Sequence, residues 1–134
     1  MTKALIILLA LFTLTACNNK EIKVDKAKQT FELVDKKLTE NNIVFSRNVE
    51  LTASDYYAKE AWQYVINDAA CIVDIYYYGE ESDIYKDALE KGAVKSKIYD
   101  NQYIYATINK GIAAIIWDSC NIKSDVETII MGLE

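Results

Sequence analysis

The residues of this chain that are best suited to covalent chemistry are its three cysteines, Cys17, Cys71 and Cys120. A cysteine sulfur can carry a lipid, form a disulfide or bind a metal, and its surroundings decide which of these occurs. Cys17 follows a short apolar segment near the N-terminus, whereas the other two cysteines lie deep in the remaining chain. The positions therefore predict one kind of chemistry for Cys17 and another for Cys71 and Cys120.

The segment before Cys17 has the layout of an export signal. Lys3 supplies a positive charge, and residues 4–14 are apolar apart from one threonine. The tetrapeptide Leu14-Thr15-Ala16-Cys17 resembles the lipobox of bacterial lipoproteins, in which the cysteine is lipidated and everything before it is removed. The resemblance implies a signal peptide over residues 1–16 and a diacylglyceryl thioether on Cys17.

The lipobox resemblance also implies a location, which is the extracytoplasmic face of the cell membrane, or of an outer membrane if the cell has one. A transmembrane helix is the weaker alternative, because it needs about 20 apolar residues. A simple cleaved signal, which would leave Cys17 as a free thiol, is the other alternative. Residues 17–23 form the predicted lipidated tether, and its six residues after Cys17 reach about 20 Å when fully extended. We therefore expect the folded domain to lie close to the lipid surface.

Cys71 and Cys120 are a candidate disulfide, since two remaining cysteines in an exported domain commonly pair. The alternative is that both are buried free thiols that pack as small hydrophobic residues. Cys71 lies near the start of one predicted strand and Cys120 just past the end of another. If those strands are antiparallel neighbours, the two cysteines meet at one edge of the sheet, whereas parallel or distant strands would keep them apart.

The composition excludes several classes of function. The chain has no histidine, so Ser-His-Asp and Cys-His catalysis and histidine zinc sites are excluded, and two cysteines cannot make a four-sulfur site. We accordingly predict no metal and no cofactor. After residues 1–16, which hold one lysine and no acid, 14 basic and 20 acidic side chains remain. This acidic balance, with Arg47 as the single arginine, argues against nucleic acid as a partner.

Carboxylates are the other groups that could do chemistry. Asp74 lies inside a hydrophobic strand, but no second acid at a defined spacing accompanies it, so we expect it to point to the solvated face of the sheet. Glu80, Glu81 and Asp83 cluster near a turn. Because they lack the spacing of a calcium loop, we expect a solvated start of a helix there.

Aromatic side chains suggest a binding surface. The sequence has ten tyrosines and two tryptophans, and five of these residues are spread over three predicted strands: Tyr76, Tyr78, Tyr103, Tyr105 and Trp117. If they lie together on one exposed face, they could bind a sugar chain or a protein partner at low entropic cost. If they lie under the helices, they are core residues, so their burial decides between the two interpretations.

Helical and alternating periodicities define the elements that must position these residues. The first elements are a helix over 24–40, an edge strand over 43–51, a short helix over 54–61, and a hairpin with strands 62–66 and 70–78. Arg47 interrupts the alternation of the edge strand, and Asn67-Asp68 supplies the turn of the hairpin.

The second half of the chain continues with alternating helices and strands. A helix that begins at Ser82 or at the Glu80-Glu81 pair is predicted to run to Lys91, with Ile84, Ala88 and Leu89 facing inward. The elements after it are strands over 93–99, 102–109 and 111–118 and a closing helix capped by Ser124. Gly92 is expected to cap the first of these helices. The unbroken apolar residues 112–116 predict a central strand that is covered on both faces.

These elements predict one α+β domain over residues 24–134, with an antiparallel sheet of about five strands and helices mainly on one face. The pattern from residue 72 to 133 resembles small uncharacterised bacterial lipoproteins, and this resemblance implies no catalytic residues. The leading hypothesis is a non-catalytic, membrane-anchored binding or interaction module, such as an accessory of an envelope complex or an immunity-type protein. The alternatives are a structural or assembly lipoprotein and a small carboxylate-dependent enzyme acting on an envelope polymer.

Overall fold

A five-stranded antiparallel sheet forms the centre of the computed structural model, which describes residues 25–134. The strands, in their order across the sheet, are β1 (Phe45–Glu50), β2 (Glu60–Ile66), β3 (Cys71–Tyr77), β7 (Ile112–Ile116) and β6 (Thr107–Asn109). Every pair of neighbouring strands is antiparallel. The predicted sheet is therefore confirmed, including the interior position of β7, all five residues of which are buried.

Three helices and a second, smaller sheet cover the central sheet. They are α1 (Lys26–Glu40), α2 (Asp83–Lys91), α3 (Lys123–Met131) and the antiparallel pair β4 (Ala93–Lys95) and β5 (Tyr103–Tyr105), with a short 3₁₀ helix over Ala53–Tyr56. α1 and α3 pack on one face, where their apolar residues share a core with residues of β2, β3 and β7. α2, the small sheet and the 3₁₀ helix pack on the other face. The predicted α+β class is confirmed, with two of the three helices on one face.

β7 contributes side chains to both cores. Ile112, Ala114 and Ile116 belong to the first core, under α1 and α3. Ala113 and Ile115 point to the opposite face and belong to the second core. This alternation is the period-two pattern of a strand. Because both faces are covered, both sets are buried, as the apolar sequence of this strand predicts.

Local sequence explains where α1 begins. The Asp25 side chain accepts a hydrogen bond from the Lys28 amide at 3.0 Å, which satisfies a free N–H of the first turn. Phe31, Val34 and Leu38 are spaced by three and four residues, so they lie on one face and enter the core. The predicted helix is confirmed from residue 26 onward, and residue 24 lies outside the described residues.

The edge strand β1 is tied to α1 through its arginine. Arg47 donates two hydrogen bonds to the Asp35 carboxylate, at 3.2 and 2.8 Å, and its guanidinium lies 5.2 Å from the ring centroid of Trp62. Tyr64 donates a hydrogen bond to the same carboxylate at 2.7 Å. Arg47 thus interrupts the alternation of the strand because it forms a half-buried, bidentate bridge to the helix above.

The β2–β3 hairpin forms where the sequence predicts it. Asn67, Asp68 and Ala69 have positive φ values of 49°, 55° and 70°, a conformation that asparagine and aspartate tolerate better than most residues. The register pairs Ile66 with Cys71 and extends to Glu60 opposite Tyr77. β2 therefore starts two residues earlier than expected, and the predicted helix over 54–61 is wrong. Only a 3₁₀ turn precedes the strand.

The buried face of α2 agrees only in part with the prediction. Ser82 and Gly92 cap the helix as expected, but Tyr85 and Ala88 are the buried residues, while Ile84 and Leu89 are exposed. Ala88 is therefore buried as predicted, whereas Tyr85 takes the place expected of Ile84 and Leu89 in the buried face. The three-residue step from Tyr85 to Ala88 places the large ring against the second core, and no rule of hydrophobicity favours tyrosine over isoleucine for that position.

Two further predictions about the second half are wrong in detail. The expected strand over 102–109 is divided at the buried residue Ala106, whose amide donates to the Gly92 carbonyl, so that β5 joins the small sheet and β6 joins the central one. Ser124 does not cap α3. The cap position lies two residues earlier, at Ile122, and no side-chain hydrogen bond forms there.

Candidate functional site

The five aromatic residues predicted as a binding face do not lie together on an exposed surface. Tyr76 and Tyr78 are buried in the second core, whereas Tyr103, Tyr105 and Trp117 are 40%, 65% and 42% exposed. The division follows from position, because β3 is a central strand and β5 lies in the small outer sheet. Only the exposed members can contact a ligand.

Core packing accounts for the two buried tyrosines. The Tyr76 ring lies 4.5 Å from the Tyr56 ring, and the Tyr78 hydroxyl donates a hydrogen bond to the Tyr56 carbonyl at 2.8 Å. Burial raises the pKa of both phenols, and the nearby Asp74 carboxylate adds to the effect at Tyr76. Both hydroxyls therefore stay protonated and serve the packing of the domain.

The exposed tyrosines lie on the β4–β5 hairpin. In β5, Tyr103 and Tyr105 point outward, while Ile104 between them packs toward the second core opposite Val94. Ile98 and Tyr99 are exposed near the tip of the same hairpin. We call these four exposed residues the hairpin surface: Ile98, Tyr99, Tyr103 and Tyr105.

Polar contacts fix one side of this hairpin to α2. The Tyr103 hydroxyl donates to the Asp87 carboxylate at 2.8 Å and accepts from the Lys91 ammonium at 2.8 Å. Lys91 and Asp87 are also an ion pair. The hydrogen bond from Lys91, followed by that from Tyr103, lowers the pKa of Asp87, so this carboxylate is ionised near neutral pH.

The tip of the hairpin is held by the 3₁₀ helix and by Tyr57, the residue that follows it. The Tyr57 hydroxyl donates to Asn101 at 2.6 Å, the Lys97 amide donates to the Asp55 carbonyl at 2.8 Å, and the Lys97 ammonium lies 4.5 Å from the Tyr57 ring centroid. Contacts at both its side and its tip thus order the hairpin. Its exposed rings are therefore presented in a defined arrangement, which reduces the entropy lost on binding.

Trp117 follows β7 and is positioned by Asp74. The indole Nε1 donates to one carboxylate oxygen at 2.9 Å, and the Gln63 amide donates to the other at 3.0 Å. Asp74 is only 6% exposed, so the prediction that it points to a solvated face is wrong. The reason is that α2 and the small sheet cover this face of the central sheet. With both oxygens hydrogen-bonded, Asp74 acts as a structural acceptor.

Cys71 and Cys120 are joined by a disulfide. β3 and β7 are antiparallel neighbours that pair Val73 with Ile116, so the start of one strand lies beside the end of the other. This is the arrangement in which the two cysteines can meet. The bond closes a loop with a sequence separation of 49 residues and fixes the segment that leads into α3.

The acidic residues near α2 do not gather around a common point. Within residues 25–134 there is no group of three or more histidine, cysteine, aspartate or glutamate side chains placed to hold a metal ion. Glu80, Glu81 and Asp83 are exposed around the start of the helix. Acidic side chains at that end interact favourably with the helix dipole.

A groove of about 740 Å³ lies between the N-terminal ends of α1 and α2, and the sequence analysis missed it. Four lysines line it, namely Lys26, Lys59, Lys86 and Lys110. They come from four separate parts of the chain, and no local motif connects them. Only the three-dimensional arrangement could reveal that they converge.

Comparisons with known proteins found no match to this chain among protein-family models, curated proteins or solved structures. None of the helices within residues 25–134 has the length and apolar character needed to cross a bilayer. Cys17 and the predicted signal peptide lie outside the described residues, so lipidation stays a prediction from the sequence. The geometry provides two surfaces that could bind a partner, the hairpin surface and the lysine-lined groove.

Proposed function

We propose that this chain is a lipid-anchored, extracytoplasmic binding module that contacts a protein of the bacterial envelope through the hairpin surface. The observation that carries the proposal is the exposure of Tyr103 and Tyr105, 40% and 65%, on a hairpin that is held at its side and tip. Tyrosine offers a large, rigid contact area with few rotatable bonds, and it is enriched at binding hot spots.

The chemistry of the hairpin surface favours a protein partner. Aromatic and aliphatic side chains form its centre, and charged groups lie beside them, with Lys91 within 4.4 Å of the Tyr103 ring centroid and Lys123 within 5.7 Å of that of Tyr105. An apolar centre with a polar rim is the usual composition of a protein–protein interface.

The reactive groups of the described residues support a non-catalytic role. Asp74 is the single buried carboxylate among residues 25–134, and hydrogen bonds occupy both of its oxygens. Cys71 and Cys120 are consumed in a disulfide. Acid–base or nucleophilic catalysis needs a group that is free to react with a substrate, and these groups are already engaged.

Site-specific photo-crosslinking in the native cells tests the binding role. A benzophenone amino acid replaces Tyr105 in the full-length chain, and the matched control carries it at Met131, which is 59% exposed on α3. We expect one defined adduct with an envelope protein from position 105 and none from position 131. The absence of an adduct at 105, or the same adduct from both positions, would refute the proposed interface.

Mass spectrometry of the same preparation tests the anchor separately. We expect an N-terminal peptide that begins at Cys17 and carries diacylglyceryl. An N-terminal peptide that retains residues 1–16, or a Cys17 with a free thiol, would contradict the lipid anchor. This measurement does not depend on whether a partner is found.

A further inference from the structure

The lysine-lined groove concentrates positive charge in a domain that is otherwise acidic. The whole chain has 15 basic and 20 acidic side chains, of which three lysines and one glutamate precede residue 25. Residues 25–134 therefore contain 12 basic and 19 acidic side chains. Four of those 12 basic side chains line one groove. Such a concentration favours an anionic ligand at this position.

The four lysines have no ionic partner among the described residues. The ion pairs within residues 25–134 use Lys28, Lys36, Lys37, Arg47 and Lys91 instead. Glu80 and Glu81 also line the groove, and both are exposed. Four ammonium groups and two carboxylates therefore line the groove. Burial raises the pKa of Tyr77, and the carboxylates of Asp25 and Glu60 lie close enough to help raise it.

A largely buried tyrosine points to the same ligand. Tyr77 lines the groove and is only 7% exposed as a whole residue. Its hydroxyl is not among the buried polar atoms of residues 25–134 that lack a hydrogen-bond partner, so solvent or a ligand can reach it. A Cβ placed on Gly79 would lie 3.5 Å from the Tyr77 hydroxyl and 3.6 Å from the Lys59 ammonium, so the two groups lie near one another beside this glycine. A hydroxyl that a ligand can reach, beside an ammonium group, can donate to an acceptor oxygen of a phosphate.

Both neighbouring helices present their N-terminal ends to the groove. Lys26 and Gln29 belong to the first turns of α1, and Ser82 and Lys86 flank the start of α2. Carboxylates already lie at both ends, since Asp25 caps α1 and Asp83 lies in the first turn of α2. The lysines, and not the helix dipoles, therefore supply the positive charge of the groove.

We infer that this groove binds the phosphate of an anionic phospholipid headgroup in the membrane that carries the anchor, an inference that rests on the lipid at Cys17. α1 begins beside the groove at Lys26, and the eight residues from Asn18 to Asp25 span at most about 29 Å. The groove is therefore at the part of the domain that the anchor holds nearest the lipid. Its volume of about 740 Å³ is within the range of small-molecule sites.

Lysine footprinting of the full, natively processed chain tests the inference. The protein is mixed with vesicles of phosphatidylcholine, or of phosphatidylcholine and phosphatidylglycerol in equal parts, and acetylated. We expect Lys59, Lys86 and Lys110 to be acetylated at least about fivefold more slowly on vesicles with phosphatidylglycerol than on those without it. The figure follows from the attraction of about 1 kcal/mol between one lysine and an anionic lipid surface. The control lysines Lys36 and Lys95 should change less than about twofold.

Two further samples in the footprinting experiment distinguish lipid phosphate from free phosphate and test the role of the Tyr77 hydroxyl. Inorganic phosphate with phosphatidylcholine vesicles should not protect the groove lysines, and protection there would assign the site to free phosphate and overturn the lipid assignment. The Tyr77→Phe variant should lose about half or more of the protection while keeping its fold, because it removes only the hydroxyl and keeps the buried ring. Equal acetylation in both vesicle types, or equal protection of the control lysines, would also overturn the inference.

The anchor and the groove give separate readouts in this experiment. The intact mass of the same sample reports whether Cys17 carries a lipid, and vesicles can be added to an unlipidated chain at the same concentration. A chain without the lipid refutes the anchor, whereas a lipidated chain without protected groove lysines refutes headgroup binding.

Discussion

Loss of the disulfide should destabilise the domain strongly, and the size of the effect follows from its position. Closing a loop with a separation of 49 residues lowers the entropy of the unfolded chain by an amount that corresponds to about 4 kcal/mol in the chain-entropy model. Urea lowers the unfolding free energy of small proteins by about 1–3 kcal/mol per molar. Dividing the first value by the second, we expect the variant Cys71→Ala/Cys120→Ala to unfold at a urea concentration about 1.3–4 M lower than the natural protein.

The decisive assay is the comparison of single and double variants. If the bond carries the stability, Cys71→Ala, Cys120→Ala and the double variant lose nearly the same unfolding free energy, since either substitution breaks the bond. If both sulfurs were free thiols, each substitution would remove a buried sulfur independently, and the two losses would add. Additive losses, or two titratable thiols in the unfolded and unreduced protein, would refute the argument. A reductant should lower the midpoint of the natural protein and leave the double variant unchanged.

Two other predictions concern a turn and a surface carboxylate. Gly111→Ala should cost about 2–3 kcal/mol of unfolding free energy, because its new Cβ would lie 3.0 Å from the Glu80 amide nitrogen at a φ of 79°. Gly92→Ala should cost only about 1 kcal/mol of unfolding free energy, because Gly92 has a φ of 63° but no atom lies within 4 Å of the new Cβ. Equal losses of unfolding free energy for the two alanine variants in urea would contradict this prediction. Tyr103→Phe should raise the pKa of Asp87 toward its ordinary value by removing one hydrogen bond, while Lys91 still holds it lowered. The stabilisation linked to this depressed pKa is present above the unfolded-state pKa and is lost as pH falls through the folded-state pKa. NMR titration of the Asp87 carboxyl measures the pKa in both proteins. An unchanged pKa in the variant would refute the contribution of Tyr103.

Elements defined by local signals were predictable from the sequence. α1 has a cap residue and one apolar stripe, and the β2–β3 hairpin has turn residues that accept positive φ. The disulfide could be predicted only conditionally, because it required β3 and β7 to be antiparallel neighbours. That pairing joins segments about 40 residues apart, and nothing in either segment specifies the other.

The parts that could not be predicted depend on what covers each surface. Asp74 has the alternation of a solvated residue, yet it is buried and accepts hydrogen bonds from Gln63 and Trp117. Arg47 looks like a break in a strand, yet it bridges to Asp35 on α1. In both cases the side chain is satisfied by residues distant in sequence, so periodicity alone gives the wrong environment. The groove lysines were missed for the same reason.

The two proposed contacts are compatible with one orientation of the domain, because α2 lies between them. Its first residues line the lysine groove, and Lys91 in its last turn contacts Tyr103 of the hairpin surface. Nine helical residues separate the two ends by about 13 Å. A headgroup held in the groove would therefore leave the hairpin surface displaced from the bilayer along α2. It follows that charge-removing substitutions in the groove, such as Lys86→Gln, should leave the crosslink from position 105 intact, while substitutions in the hairpin should leave lysine footprinting unchanged.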